Sequence, residues 1–161
     1  MKWNLKANSV IPYFSDGTTQ LYHVIEDVLK QTGKADLFIS SFTVAEEFIR
    51  KLHTLKTKDS ITGLNLLLDL RSAKKSLQLS YFLFSVCDEV YLANNHSKII
   101  LIENEIHKVS IVTSQNQTRG NRFEAGIICT TIDTFDFFKT KLENELSKCL
   151  KLSDVFATGN H

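Results

Sequence analysis

Residues 36–70 read DLFISSFTVAEEFIRKLHTLKTKDSITGLNLLLDL, and this stretch decides the fold class. Its ends, DLFISSF and LNLLLDL, are short apolar runs typical of buried strands. Between them Phe48, Leu52 and Leu55 recur at helical spacing, and TVAE at residues 43–46 fits a capping box at the helix start. The stretch therefore predicts a strand, a helix and a second strand that belongs to the same sheet.

Helices and strands alternate on both sides of this stretch. Before it, apolar residues from Leu21 to Leu29 repeat at helical spacing, and Gly33 suits the helix end. After it we predict a helix over residues 73–85, strands over 89–93, 97–102, 106–113 and 125–129, and a last helix. Segments 97–102 and 106–113 form a hairpin. The order predicts an α/β fold with a mixed, largely parallel β-sheet flanked by helices.

The length and composition are those of one ordinary globular domain. The chain has 161 residues, 43% of them hydrophobic and 23% charged, so we expect a single domain over residues 1–161. Residues 1–20 precede the regular pattern, and the first dozen form an irregular arm or an added edge strand. We expect a loose tail over residues 153–161. The net charge of +1 means that a polyanionic partner must be held by a local basic patch.

Cysteine usage and hydropathy predict a cytoplasmic protein. The chain has three cysteines with no close pair, which indicates buried thiols in a reducing compartment. The N-terminal residues contain no continuous apolar segment of the secretory-signal type. No apolar run approaches the roughly 18 residues of a membrane span, so we expect no membrane partner.

Two short motifs predict a site for a small anion. His96 and Lys98 are two residues apart before an apolar run, and Ser114 and Asn116 repeat this spacing after the next strand-like run. Glu124 follows eight residues later. Strand side chains alternate between faces, so residues two apart point the same way. Two strands could thus place a nucleophile, a cation and two neutral hydrogen-bonding groups around a phosphate.

These motifs resemble those of the phospholipase D superfamily. The family pattern is H-x-K-x4-D followed by G-S-x-N, and the text HSKIILIENE…VTSQNQTRGNRFEAG is similar to its single-motif, nuclease-like branch. The similarity covers the chain from about residue 36 to residue 150. This sequence departs from the pattern in having Glu103 for Asp, Thr113 for Gly and a longer hairpin between them. In the family that Asp lies away from the phosphate and supports the fold.

The resemblance implies a metal-independent phosphodiesterase without a cofactor. His96 would attack phosphorus and form a phosphohistidine intermediate. A second His96, from the partner subunit of a homodimer, would protonate the leaving oxygen and later activate water. Lys98, Ser114 and Asn116 would hold the non-bridging oxygens, and Glu124 would accept a hydrogen bond from a histidine.

Basic residues near the motifs favour nucleic acid as the substrate, and hence an endonuclease. Arg119 and Arg122 flank the second motif, and Arg71 follows a buried strand, so all three are candidates for phosphate contacts. Ordinary surface arginines are the alternative. Asp69 fits a simple strand-end residue better than a supporting acid. Two other functions stay open: a catalytically silent nucleic-acid-binding module, and a hydrolase of phospholipids or small phosphodiesters.

Overall fold

A computed structural model describes residues 3–72, 78–118 and 120–158. Its strands are β1 (Val10–Ser15), β2 (Ala35–Ser41), β3 (Ile61–Asp69), β4 (Glu89–Ala93), β5 (Ile99–Glu103), β6 (Lys108–Thr113), β7 (Glu124–Cys129) and β8 (Leu150–Lys151). Its helices are α1 (Leu21–Thr32), α2 (Glu46–Thr57), α3 (Ser80–Val86), α4 (Ile132–Leu146) and α5 (Leu152–Thr158), with a short 3-10 turn at Leu70–Ser72.

All eight strands form one mixed sheet in the order β1-β7-β6-β5-β2-β3-β4-β8. The α/β class and the mixed sheet are confirmed, but the prediction of a largely parallel sheet is wrong. Only the β2–β3 and β3–β4 pairs of these strands are parallel. The reason lies in the connections: a helix carries β2 back to β3, whereas β5, β6 and β7 follow one another without a crossover helix and pair antiparallel with their neighbours.

Helices cover both faces of the sheet. On one face the apolar stripe of α1 is completely buried together with residues of α2 and of the central strands. On the other face lies α4, whose Phe135 is fully buried. The helical spacing that predicted α1 is thus confirmed, and Gly33 ends that helix with a φ of 77°, a conformation that glycine adopts readily.

The helix in the middle of residues 36–70 begins later than predicted. The sequence suggested a capping box at residues 43–46, but α2 starts at Glu46 after Ala45, with no side-chain cap. Instead, Val44 forms an isolated bridge with Gln117, and the N–H of Ala45 donates to the carbonyl of Gln117 at 2.8 Å. A long-range backbone hydrogen bond therefore fixes the start of α2, where no side chain caps the helix.

Both ends of the described chain are more ordered than the sequence suggested. β1 begins at Val10 and pairs antiparallel with β7 along its whole length, so an added edge strand includes the last of the first dozen residues, whereas the described residues before Val10 form no strand. The tail that we expected to be loose contains α5, which the fully buried Leu152 anchors. Residues 73–77 and 159–161 lie outside the described residues. No described helix combines the length and the apolar character that crossing a bilayer requires.

Candidate functional site

Four strands bring the two motifs together at one end of the sheet. β2 ends beside the start of β5, with Ser40 opposite Ile99. β6 ends beside the start of β7, with Thr113 opposite Gly126. Because β5 and β6 are antiparallel, His96, Lys98, Ser114, Asn116 and Glu124 all lie at the same end. We call this the site end of the sheet.

His96 and Lys98 lie in the loop that leads into β5 and not within the strand itself. Their side chains nevertheless meet, as predicted. The Lys98 ammonium donates to the backbone oxygen of His96 at 2.9 Å, and its nitrogen lies 3.2 Å from Nδ1 of the imidazole. The exposed imidazole stands edge-on to the ring of Phe42, with 5.4 Å between the centroids. Phe42 follows β2, so the end of this strand positions the histidine.

The loop that carries His96 is fixed by Asn95, a residue that sequence reasoning missed. The buried Asn95 side chain donates to Ser40 Oγ at 3.0 Å and to the carbonyl of Ser41 at 3.2 Å. Its Oδ1 accepts the backbone N–H of Ser97 at 3.0 Å and the Ser97 hydroxyl at 2.7 Å. One amide therefore ties both sides of His96 to the end of β2.

Asp69 is the last residue of β3, as predicted, and it also supports the same loop. Its carboxylate has no exposed area and accepts the backbone N–H of Asn95 at 2.9 Å. It also accepts the backbone N–H of Arg71 at 2.8 Å and the guanidinium at 2.9 Å. The hydrogen bond from the Arg71 side chain is the main reason why the pKa of Asp69 lies below its ordinary value. Asp69 thereby links β3 to the His96 loop.

The second motif lies where β6 ends. The Ser114 hydroxyl hydrogen-bonds to the carboxylate of Glu124, and its oxygen accepts the backbone N–H of Ala125 at 3.1 Å. The bond that we predicted from a histidine to Glu124 is not formed within the described part of this single chain. Glu124 still acts on the first motif through charge: it raises the pKa of Lys98, while burial, the larger effect, lowers that pKa overall.

Asn116 is held between the ends of β6 and β2. The bridge from Gln117 to Val44, described above, ties this segment to the residues that follow Phe42. The Oδ1 atom of Asn116 is buried without a hydrogen-bond partner among the described residues. Most buried polar atoms in proteins are hydrogen-bonded, so this amide oxygen at the site end is available to a ligand or a partner.

Thr113, which replaces the glycine of the family pattern, is part of a hydrogen-bond network with β1. Its hydroxyl accepts a hydrogen bond from Tyr13 at 2.8 Å and donates to the carbonyl of Ala125 at 3.2 Å. A Cβ atom on Gly126 would come within 2.6 Å of the Tyr13 ring, so glycine at this position makes room for the tyrosine. Burial raises the pKa of Tyr13 to about 12. The threonine hydroxyl is thus engaged in fixing the edge strand.

Glu103 lies at the opposite end of β5 from His96, as the resemblance implied. There it forms an ion pair with Lys139 of α4. The ion pair raises the pKa of Lys139, chiefly through the hydrogen bond between the two side chains. The side chain of Glu103, the glutamate in place of the family's aspartate, therefore contacts α4, which covers the face of the sheet opposite α1.

The three candidate arginines differ in how the structure places them. Arg71 lies at the site end, where its guanidinium lies 5.1 Å from the centroid of the Phe42 ring, which also makes a T-shaped contact with the His96 imidazole. Arg122 is exposed two residues before Glu124, so it lies at the same end. Arg119 lies outside the described residues. The structure thus brings two of the three arginines to the site end.

Known structures share this arrangement of strands and helices. Nuc from Salmonella typhimurium, a phospholipase D family member, is 16% identical, with 89% of this chain and 97% of Nuc covered at a TM-score of 0.65. NucT from Helicobacter pylori is 12% identical, with 89% and 99% covered at a TM-score of 0.67. TrmBL2, an archaeal chromatin protein whose structure shows a mode of DNA binding, is 9% identical; 88% of this chain and 52% of TrmBL2 are covered at a TM-score of 0.56.

Neither family models nor curated proteins gave a sequence match to this chain. The similarity is therefore one of three-dimensional structure, and at these identities it establishes the fold. It agrees with the resemblance that the His96 and Ser114 motifs carry in the sequence. The chain has the fold of the phospholipase D family member Nuc and of NucT.

Proposed function

We propose that this protein is a metal-independent phosphodiesterase of the phospholipase D type that cleaves nucleic acid. The observation that carries the proposal is the convergence of His96 and Lys98 with Ser114 and Glu124 at one end of the sheet. These residues follow one another along the chain as in the family motif, and they come together on a fold that is similar to that of Nuc. A nucleophile, a cation and hydroxyl and amide donors are groups that phosphoryl transfer uses, together with the general acid described below.

The reaction would run in two displacements at phosphorus. In the first, an imidazole nitrogen of His96 forms a bond to phosphorus while the bond to the leaving oxygen breaks, and that oxygen takes a proton from a second histidine. In the second, water attacks the phosphohistidine, the nitrogen–phosphorus bond breaks, and the proton of the water returns to the second histidine. Atoms and charge balance in each step, and water is the only reagent besides the substrate.

Lys98, Ser114 and Asn116 would hold the non-bridging oxygens, where negative charge grows in the transition state. Partial burial of the Lys98 ammonium supports this role, because a charge attracts a phosphate more strongly where water is partly excluded. Glu124 would turn from Ser114 to a histidine once substrate or partner is bound. Its carboxylate would then fix the tautomer and the orientation of the imidazole.

The second histidine would come from a second copy of the chain. Only His96 stands in an H-x-K motif, and the other described histidines have different surroundings. His23 accepts the backbone N–H of Gln20 at the start of α1, His53 lies on α2, and His107 lies in the turn between β5 and β6. We therefore propose a homodimer with one active site at its two-fold axis.

Nucleic acid is the proposed polymer because exposed cations lie at the site end. Arg122 and Arg71 would contact the phosphates on either side of the one that is cleaved, and Arg119 is the third candidate. We also propose a cytoplasmic location, which the free thiols of Cys87, Cys129 and Cys149 support.

The test is hydrolysis of bis(p-nitrophenyl) phosphate and of labelled single- and double-stranded DNA and RNA, all in excess chelator. We expect His96→Ala to abolish hydrolysis, because it removes the nucleophile. His53→Ala is the matched control, since it deletes an exposed imidazole on α2. Reactions quenched with denaturant at alkaline pH should contain a phosphoryl group bound to His96, because the nitrogen–phosphorus bond is stable in alkali and breaks in acid. Full activity of His96→Ala would refute the mechanism.

Mixing subunits tests the shared site. Wild-type protein is allowed to exchange with His96→Ala, and activity is measured against the wild-type fraction. If every site needs both histidines, activity should follow the square of that fraction, because mixed dimers are inactive. A linear dependence would show that each chain acts alone.

A catalytically silent DNA-binding module is the second candidate. TrmBL2 has this fold and is described as binding DNA, and Glu124 here is bonded to Ser114 in place of a histidine. This function predicts salt-sensitive binding of DNA, because phosphate contacts release counterions, with no hydrolysis of any substrate. Phospholipid vesicles in the same assay test the remaining class, a lipid phosphodiesterase.

A further inference from the structure

Two aromatic rings lie exposed beside the site. Phe14 of β1 has 64% of its surface exposed and Phe123 has 77%, and the ring centroids are 5.6 Å apart. Phe123 directly precedes Glu124, and Phe14 directly precedes Ser15, the strand partner of Glu124. Large apolar side chains exposed together on a protein surface commonly mark a binding site.

The backbone fixes the direction of this aromatic pair. Tyr13 and Ser15 are buried, so the alternation of β1 turns Phe14 to the opposite face of the sheet. Phe14 is the register partner of Ala125, which is exposed. Phe123 lies two residues before Ala125 in the chain, so its side chain points to the same face of the sheet. The pair therefore stands on an open area of sheet next to the site end.

The surroundings of the pair suit a nucleotide. Arg122 is exposed immediately before Phe123, and Lys98 and Ser114 lie at the same end of the sheet. In a polynucleotide each phosphate is separated from its base by one sugar, so a phosphate at the site places bases within reach of nearby rings. Bases stack on exposed aromatic rings, and a flat sheet that displays such rings is a known platform for single strands.

We propose that Phe14 and Phe123 form a stacking platform for a base next to the bound phosphate, so that the substrate is single-stranded nucleic acid. Bases in a duplex are already stacked on each other and cannot lie on such a platform without unpairing. The inference rests on the proposed function in so far as the bound phosphate is the one to be cleaved. It distinguishes single-stranded from double-stranded nucleic acid, a choice that the motif residues leave open.

A second copy of the chain is the other occupant to consider, because aliphatic side chains continue along the same strands. Val10 and Ile127 are exposed by 56% and 36%. They lie farther along β1 and β7 from the site end, whereas both rings lie at the site end, where Phe123 directly follows the exposed Arg122 in the chain. This placement of aromatic groups beside cations favours a base, and the test below separates the two occupants.

The experiment compares two single strands of equal length and charge, one with bases and one made of abasic units. Binding is measured by fluorescence anisotropy at one salt concentration in the His96→Ala background, so that it does not depend on cleavage. We expect the protein with Phe123 to prefer the strand with bases by about 5- to 150-fold, the effect of one stacked base. Phe123→Leu should abolish this preference, and Phe123→Trp should keep it.

Phe137→Ala is the matched control, because Phe137 is a 57% exposed ring on α4 that packs against Phe138. It should bind as the parent protein does. Equal binding of the two strands by the parent protein, or a preference that survives in Phe123→Leu, overturns the inference. The inference is also overturned if the protein is a dimer that Phe123→Asp dissociates, while Phe123→Leu leaves both the dimer and the preference for the strand with bases unchanged. Failure of wild-type protein to hydrolyse bis(p-nitrophenyl) phosphate counts only against the proposed function.

Discussion

Replacing Asp69 by alanine should destabilise the protein strongly and loosen the loop that carries His96. The substitution leaves the buried N–H of Asn95 without its acceptor, which costs about 1–3 kcal/mol. The backbone N–H of Arg71 also loses its acceptor, and the exposed guanidinium loses its ion pair with Asp69. Together these effects should lower the free energy of unfolding by about 2–4 kcal/mol.

Urea denaturation measures this loss directly. At the usual dependence on urea, such a loss moves the unfolding midpoint down by about 1–2 M. Asp136→Ala is the matched control, because it removes a half-exposed carboxylate that pairs with Lys108 on the surface. That change should cost less than about 1 kcal/mol. Equal losses in the two variants would refute the structural role that we assign to Asp69.

The pH dependence gives a second test of the same reasoning. The pKa of Asp69 is lowered by folding, so its contribution is present above the ordinary value of about 3.9 and disappears as pH falls through the lower folded value. Asp69→Asn should therefore be less stable than wild type at pH 7, and the difference should shrink below about pH 4. A difference that is constant over this range would show that the charge of Asp69 is not involved.

Three further predictions concern the site end of the sheet. Because the pKa of Tyr13 is raised to about 12, wild type should lose stability as pH rises from the ordinary value of about 10 through 12, and Tyr13→Phe should lose less in the same titration. Lys98→Met should reduce kcat by about 10²–10³. It should leave the urea midpoint at pH 7 unchanged or higher, because burial of the ammonium disfavours its charged form; a lower midpoint would contradict this. Gly126→Ala should cost about 1–3 kcal/mol in urea, and much less in a Tyr13→Ala background, because the new Cβ would lie 2.6 Å from the Tyr13 ring.

Sequence patterns predicted the elements of this fold better than their directions. Apolar periodicity located α1, and continuous apolar runs located β2 and β3, because both signals are local. Strand direction depends on which strands pair, and pairing is a long-range property. The antiparallel half of the sheet was therefore misjudged, although a hairpin over β5 and β6 was predicted.

In the candidate site, too, the sequence predicted what depends on local spacing and missed what depends on tertiary contacts. The motif spacing correctly predicted that His96 and Lys98 would meet, and the resemblance correctly placed Glu103 at the other end of β5. Asn95 and Phe42 were missed. Both act through tertiary contacts, Asn95 with the end of β2 and Phe42 with Arg71 and His96, and neither contact has a signature in the local sequence. An asparagine next to the motif histidine was the one available signal.

The pairing of β1 with β7 has a consequence for how the protein folds. Residues that face each other in this pair are more than a hundred positions apart in the chain, since Ser15 lies opposite Glu124 and Val10 opposite Cys129. Closing so long a loop is entropically costly and slow, whereas β2, α2 and β3 are contiguous. During synthesis the first strand must wait, unpaired, until β7 has left the ribosome. We therefore expect the centre of the sheet to form first, and the edge that carries Glu124 and the two exposed rings to be the last part of the molecule to fold.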